Sequence, residues 1–272
     1  MEPSLQRRVQ RYGWDRAADF YEQYWAVQLE PAQNLMLAMA DLRPGEYLLD
    51  TACGTGLVSL RAAGLLGPQG RVLGTDISEK MIEMAKAMAL EKKIDTISFE
   101  RMDSEQLGLP DAGFDVALCA LGLMYIPDPL QALREIYRVL KPGSRLAVAV
   151  WGQRAHCGWA EIFSIVDRRV SSEVCPMFFN LGNPGMLMMS LSASGFEDIK
   201  EERISTVIRY QNAEQACGAA FAGGPVALAY HRFSDQVKEE VHREYLDSIA
   251  AYRCPEGYAV PGEFVVALAR KK

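Results

Sequence analysis

Tyr47-Leu48-Leu49-Asp50-Thr51-Ala52-Cys53-Gly54-Thr55-Gly56-Leu57 is the stretch on which the reading of this chain turns. The apolar run before Asp50 suits a strand covered on both faces, the small residues after it make a tight turn, and Leu57 begins a helix. Gly54 and Gly56 carry no side chain, so a ligand can approach the backbone to van der Waals contact. The first free N–H groups of the helix point at the same spot. Two phosphate-binding turns are excluded. A dinucleotide turn needs a third glycine three residues after Gly56, where Ser59 stands. A P-loop needs Gly-Lys-Ser/Thr, and no lysine follows. The turn suits a nucleoside better than a pyrophosphate.

Outward from this turn, strands and helices alternate from Leu48 to Val150, which predicts a mostly parallel α/β sheet wound in both directions with helices on both faces. The expected strands are 47–50, 71–76, 97–101, 114–120 and 145–151, and the expected helices 57–66, 78–92 and 130–139, with Ser78 capping the second. A strand at 199–208, a mostly helical stretch at 212–252 and a strand at 263–270 predict a C-terminal antiparallel pair with a helical cap. The organisation expected is an N-terminal helical arm at 1–40 covering the ligand cleft and a main domain at 41–272, with cap segments at 152–190 and 212–255.

Composition narrows the function classes. The 272 residues are 49% hydrophobic and 24% charged, enough for one large domain, and the net charge of −6 argues against a nucleic-acid partner. No signal peptide is read at Met1 to Arg8, and no apolar run approaches the ~20 residues of a membrane span. The expectation is a cytoplasmic protein, a monomer or homodimer, with no membrane partner. Six scattered cysteines form no CxxC pair and stand at no zinc spacing from the three histidines, so they are read as free thiols with no metal.

In open α/β sheets the ligand lies beyond the carboxyl ends of the strands, at the switch point of the winding. Three carboxylates fall there. Asp50 ends the first strand, where it can face a cationic amine. Asp76, in Gly74-Thr75-Asp76-Ile77-Ser78, is placed to accept hydrogen bonds from two ribose hydroxyls. Asp103, in Met102-Asp103-Ser104-Glu105, can bond an exocyclic adenine amine. Ile77 and Met81 suit the two faces of a flat base, and Cys119-Ala120-Leu121-Gly122 leaves room for the ligand's reactive end. A lone aspartate after a strand is commonly a helix cap; three at successive strand ends beside a glycine turn make a site.

Together these stretches resemble the class I S-adenosylmethionine-dependent methyltransferases, in the branch of the ubiquinone/menaquinone C-methyltransferases and related small-molecule enzymes. Leu49 to Gly56 is similar to the first motif, Gly74 to Met81 to the ribose motif, and Asp103 to Pro110 with Phe114-Asp115 to the adenine motif. Arg138-Val139-Leu140-Lys141-Pro142-Gly143 is similar to the late motif before the fifth strand. The resemblance implies a Rossmann-like fold and methyl transfer from S-adenosylmethionine, leaving S-adenosylhomocysteine. It also implies that Asp50, Ala52, Gly54 and Gly56 line the methionine part. Asp76 and Ile77 would hold ribose and adenine, Asp103 and Ser104 the adenine edge, and Ala120 would lie near the sulfonium; Cys53, Met81 and Cys119 are further candidates for cofactor binding. Tyr21 is similar in placement to a tyrosine that closes over the cofactor. The family usually has glycine where this chain has Ala52.

The acceptor is expected to be a small apolar or aromatic molecule, because the arm and cap carry Trp159, Phe163, Met177, Phe178, Phe179, Met186, Met188, Met189, Phe221 and Tyr230. Tyr125, His156 and, more distantly, His231 are the candidate bases. The alternatives are an RNA methyltransferase, which should show a basic face, and a non-catalytic cofactor-binding interaction protein.

Overall fold

The computed structural model describes residues 3–171, 175 and 177–272, so Met1-Glu2 of the leader reading and residues 172–174 and 176 of the first cap segment lie outside the described residues. Eight strands form one sheet. β1 (Tyr47–Thr51), β2 (Arg71–Asp76), β3 (Ile97–Arg101), β4 (Phe114–Ala120) and β5 (Leu140–Trp151) are parallel. β6 (Glu197–Tyr210), β7 (Arg253–Cys254) and β8 (Gly257–Arg270) complete it in antiparallel pairings, in the order β3-β2-β1-β4-β5-β8-β6 with β7 on β8. The winding reverses between β1 and β4, which puts the switch point at the glycine turn. β1, β4 and β5 are buried almost throughout, which is why they read as unbroken apolar runs rather than alternating ones.

The helices between the strands begin and end on visible signals. α2 (Leu57–Leu66) starts at Gly56 and stops at Gly67, both in the left-handed half of φ. α3 (Glu79–Glu91) starts where the Ser78 hydroxyl accepts the Met81 N–H at 3.1 Å. α4 (Pro129–Val139) has Asp128 as its cap, accepting from the Gln131 N–H at 3.0 Å, and proline at its first position.

The N-terminal arm is one helix, α1 (Pro3–Ala40). Its buried residues Ala18, Trp25, Leu29, Ala32, Met36 and Ala40 recur every three, four or seven positions and face the sheet. Pro31 lies inside it on an exposed face. Its last turn is held by the buried Arg145 of β5, which donates to the carbonyls of Ala40 and Asp41 and pairs with both carboxylate oxygens of Glu46 at 2.8 Å. A cation at a helix C-terminus satisfies carbonyls that the helix itself cannot.

Four strands extend beyond their sequence reading, β1 by one residue, β6 by two at each end, and β5 and β8 by more. β5 begins at Leu140 because Leu140 pairs with Phe114 ahead of a register shift, so the Pro142-Gly143 turn interrupts the strand without ending it. β8 begins at Gly257, six residues earlier than the apolar run suggests, because it forms a long two-stranded arm with β6 from Tyr210↔Tyr258 onward. Pro261 sits within this arm opposite Val207. The stretch before it folds as α7 (Ala213–Cys217), a π-helical turn (Gly218–Ala222), α8 (Ala227–Tyr230) and α9 (Asp235–Ser248); α5 (Glu161–Asp167) and α6 (Met186–Ala193) precede β6.

Candidate functional site

One cavity of about 1180 Å³, counted out to its open mouth, lies over the carboxyl ends of β1, β2 and β4 and beneath α1. Of the residues singled out in the sequence, Tyr21, Asp50, Ala52, Cys53, Gly54, Asp76, Ile77, Met81, Asp103, Ser104, Ala120 and Tyr125 line it. Gly56 and Cys119 do not. Gly56 has φ +86°, and a Cβ there would stand 3.0 Å from the Phe99 ring, so the bare backbone serves the turn and the packing of β3. Cys119 is fully buried behind the lining, its thiol pushed up to about 11 by burial.

The polar end is built from the strand-end acids. Asp50 is fully buried; its Oδ2 accepts the Ser59 hydroxyl at 2.6 Å and its Oδ1 has no partner. Burial raises its pKa to about 7, with the Ser59 bond opposing and the Asp76 charge adding. Asp76 accepts the Gly54 N–H on Oδ2 and the Ser78 N–H on Oδ1, each at 2.9 Å, so one carboxylate ties the glycine turn to the start of α3. Its pKa rises to about 6, again chiefly by burial, with the two backbone donors holding it lower. Asp103 accepts the Glu105 N–H at 2.9 Å and faces Arg7 of α1 at 3.4 Å; Arg7 is also bonded to Glu105. Asp15 of α1 accepts the Ser78 hydroxyl at 2.6 Å and the Lys80 N–H at 3.2 Å. Thus α1 is clasped to the polar end at two points.

The lining is also rich in aromatic rings. All four tryptophans of the chain, Trp14, Trp25, Trp151 and Trp159, line the cavity. Ala52, with φ +53°, brings its Cβ to the floor against Gly122, where a second Cβ would lie 2.3 Å away. The left-handed φ of Ala52 is therefore held by close packing on Gly122, and the extra methyl relative to glycine acts on the backbone as well as on pocket width.

Residues 42–163 match a methyltransferase-domain family. The chain carries a methyltransferase domain. Its demethylmenaquinone methyltransferase relative in Listeria monocytogenes is 36% identical over 129 residues, 47% of this chain and 54% of that one. The chain therefore spans about half the length of the quinone relatives it matches. The nocamycin O-methyltransferase of Saccharothrix syringae is 28% identical over 229 residues, 78% of this chain and 80% of that one. A phosphoethanolamine N-methyltransferase of Haemonchus contortus, solved with S-adenosylhomocysteine, shares the fold at 17% identity and TM-score 0.62, over 95% of this chain and 58% of that one. The matched stretch is similar to class I, S-adenosylmethionine-dependent methyltransferases of the quinone C-methyltransferase-like branch, and the sheet is Rossmann-like with antiparallel C-terminal strands.

The two catalytic candidates stand differently toward the cavity. Tyr125 lines it, edge-on to Trp14 at 5.0 Å and Phe178 at 5.2 Å, and burial pushes its phenol well above its usual value. A phenol raised in this way is protonated at neutral pH. His156 lies outside the lining, half exposed, its Nδ1 paired with Glu263 at 2.8 Å. His231 follows α8, also outside the lining. Of the ten apolar cap residues only Trp159 reaches the lining; Phe163, Phe178 and Phe179 pack behind it, with ring centroids 6.1, 5.7 and 5.8 Å away. Met177, Met188 and Met189 are exposed, and Phe221 stacks with Tyr230 in the cap. Arg7, Gln10, Trp14, Trp25 and Gln33 of α1 are lining residues that the sequence reading did not assign.

The raised acids make ligand-free stability depend on pH. Both carboxyls titrate higher in the folded chain than in an unfolded one, so their contribution is fully present below about pH 4 and is lost as pH rises through about 6 to 7. The acids held low by ion pairs, Asp115, Glu135, Glu244 and Glu263, titrate beneath that window. The melting temperature of the ligand-free protein is expected to fall between about pH 5 and 8, while S-adenosylhomocysteine, whose ammonium suits an ionised Asp50, gives a larger upward shift at the higher pH. Thermal melts with and without ligand check this. A ligand-induced shift that shrinks with rising pH contradicts it.

Proposed function

We propose that the protein transfers a methyl group from S-adenosylmethionine to a small planar acceptor bound at the tryptophan end of the cavity. One observation carries this reading: the three strand-end carboxylates Asp50, Asp76 and Asp103 line a single cavity together with all four tryptophans. The residues fit the cofactor. The unpartnered Oδ1 of buried Asp50 calls for a cationic group, which the methionine ammonium provides. The backbone of Ala52, Cys53 and Gly54 is open toward the ligand; a Cβ on Gly54 would meet only Tyr21, at 3.9 Å. Asp76 keeps a second lone pair on each oxygen for ribose hydroxyls. Ile77 and Met81 cover the base, Asp103 and Ser104 take its edge, Ala120 leaves space at the sulfur, and Tyr21 closes the top.

When bound, S-adenosylmethionine supplies a methyl group on a positively charged sulfur. The protein's own contribution is to position the acceptor in line with that methyl and to exclude water around it. Trp14 and Tyr125 wall the cavity beside Gly122, and the protonated Tyr125 hydroxyl orients the acceptor by donating a hydrogen bond. Apart from the carboxylates assigned to the cofactor, no lining side chain among the described residues is placed to act as a base, which suits an acceptor that is already acidic or already nucleophilic.

Isothermal titration with S-adenosylmethionine and S-adenosylhomocysteine, followed by transfer of a labelled methyl to a panel of phenols, enols, thiols and amines, tests the proposal. Saturable 1:1 binding and label in at least one acceptor class are expected. Absence of binding to both nucleosides overturns the reading. Binding without transfer to any class leaves a cofactor-binding interaction protein instead.

A further inference from the structure

We propose that Glu105 is a positioning residue that holds Arg7 away from Asp103 and so keeps Asp103 free to select adenine. The inference rests on the methyltransferase reading, in which Asp103 takes the base edge, and adds a residue to it. The Glu105 side chain is only 4% exposed and stands behind the cavity lining, whereas Arg7, Asp103 and Ser104 are part of that lining. Each of its polar groups is bonded to a different residue. Its N–H donates to Asp103 Oδ1 at 2.9 Å, and its carbonyl accepts from the Gln131 side chain at 3.3 Å. Oε1 accepts the Asp128 N–H at 2.7 Å, and Oε2 accepts from Arg7 Nε. One buried residue thus joins α1, the loop after β3 and the start of α4.

Arg7 stands between two carboxylates. Its Nε makes the shorter contact with Glu105 and lies 3.4 Å from Asp103 Oδ2, longer than an ordinary N–H···O bond. Burial decides between them. The Asp103 side chain is 33% exposed, so water screens its pull on the guanidinium far more than that of Glu105. Asp103 Oδ1 is taken by the Glu105 N–H, so Oδ2 is the oxygen left for an exocyclic amine. Without the Glu105 charge, Arg7 turns to the other carboxylate beside it, at that same oxygen.

The competition for Asp103 is unequal. An ion pair with a guanidinium adds charge attraction that a neutral amine lacks, so a released Arg7 displaces the adenine edge. Nucleosides with and without the amine then bind alike, because Asp103 no longer accepts from either. Glu105→Gln keeps the shape and removes the charge. An amide has one acceptor oxygen for two donors, the Asp128 N–H and Arg7 Nε, and whichever it serves, its NH2 is turned on the other. The Asp128 backbone is fixed as the cap of α4, so Arg7 is the donor that leaves.

The test uses the full chain and two ligands: S-adenosylhomocysteine, and its purine analogue with hydrogen in place of the exocyclic amine. Titration calorimetry of the wild type is expected to favour the adenine ligand by about tenfold. Glu105→Gln should weaken the adenine ligand by about tenfold and leave the purine analogue within about twofold, so the preference is lost. A loosened fold would instead weaken both ligands alike. Adding Arg7→Met removes the competing cation, and the preference should return to at least about fivefold. A parallel measurement needs no change at Glu105 and stands even if that variant folds poorly. In the ¹⁵N-labelled wild type the Arg7 Nε–H signal, assigned by its loss in Arg7→Met, should keep its downfield, hydrogen-bonded position when the adenine ligand saturates the site. A wild type without preference, equal weakening of both ligands by Glu105→Gln, no recovery with Arg7→Met, or an Arg7 signal that moves upfield on saturation overturns the proposal. Failure of S-adenosylhomocysteine to bind the wild type overturns the methyltransferase reading instead.

Discussion

Asp76→Ala is expected to lower S-adenosylhomocysteine affinity by at least about a hundredfold and to cost the fold about 3 kcal/mol. Two losses combine. The buried N–H groups of Gly54 and Ser78 each give their hydrogen bond to this carboxylate at 2.9 Å, and truncation leaves both unpartnered at about 1–3 kcal/mol apiece. The proposed ribose contacts, charge-assisted and buried, disappear as well. Part of the loss is offset, because the substitution also removes a carboxylate that burial disfavours enough to raise its pKa to about 6. Asp76→Asn keeps one acceptor oxygen and should fall between alanine and wild type in both titration calorimetry and chemical denaturation. An alanine variant that binds the nucleoside like wild type removes Asp76 from the site.

Gly122→Ala should be nearly as severe, for a purely steric reason. Gly122 has φ −102° and ψ −38°, a conformation any residue adopts, so backbone strain plays no part. The added Cβ would lie 2.3 Å from the Cβ of Ala52, where carbon atoms normally keep about 3.5–4 Å. Neither atom sits on a flexible side chain. The first-motif turn must therefore move, at a cost of about 2–3 kcal/mol, and nucleoside binding should drop at least about tenfold. Adding Ala52→Gly removes the opposing methyl and relieves the left-handed φ of +53°, so the double variant should recover most of both losses. Ala52→Gly alone should leave stability unchanged or raise it by up to about 1 kcal/mol. A double variant no better than Gly122→Ala would show that the two positions are not in contact.

The parallel half of the sheet and the acidic strand ends are legible in the sequence because they are local. Leu48-Leu49 is a buried run, Ser78 and Asp128 are caps read from the next few residues, and an acid at a strand's carboxyl end needs only the strand to be found. Contacts across the fold left weaker traces. Arg7, Gln10 and Trp25 reach the cleft because α1 lies over it, and no local pattern says where a long helix docks. The one available signal is spacing: Arg7, Gln10, Trp14, Tyr21 and Trp25 fall on one helical face, with intervals of three, four or seven. The start of β8 is hidden by Pro261 and Gly262, which read as a turn, while pairing with β6 carries the strand through them. His156 shows the converse. It follows β5 closely in sequence, yet its ring pairs with Glu263 and lies outside the cavity lining.

Having every tryptophan in one place has an optical consequence. In most chains of this size the ultraviolet emission of indole is an average over unrelated surroundings. Here each emitter is a wall of the same chamber, so a nucleoside or planar acceptor entering it meets the whole of the signal and no background from elsewhere in the chain. Quenching and wavelength shift of the unmodified protein's fluorescence then report occupancy directly, without a label and without an assay for turnover.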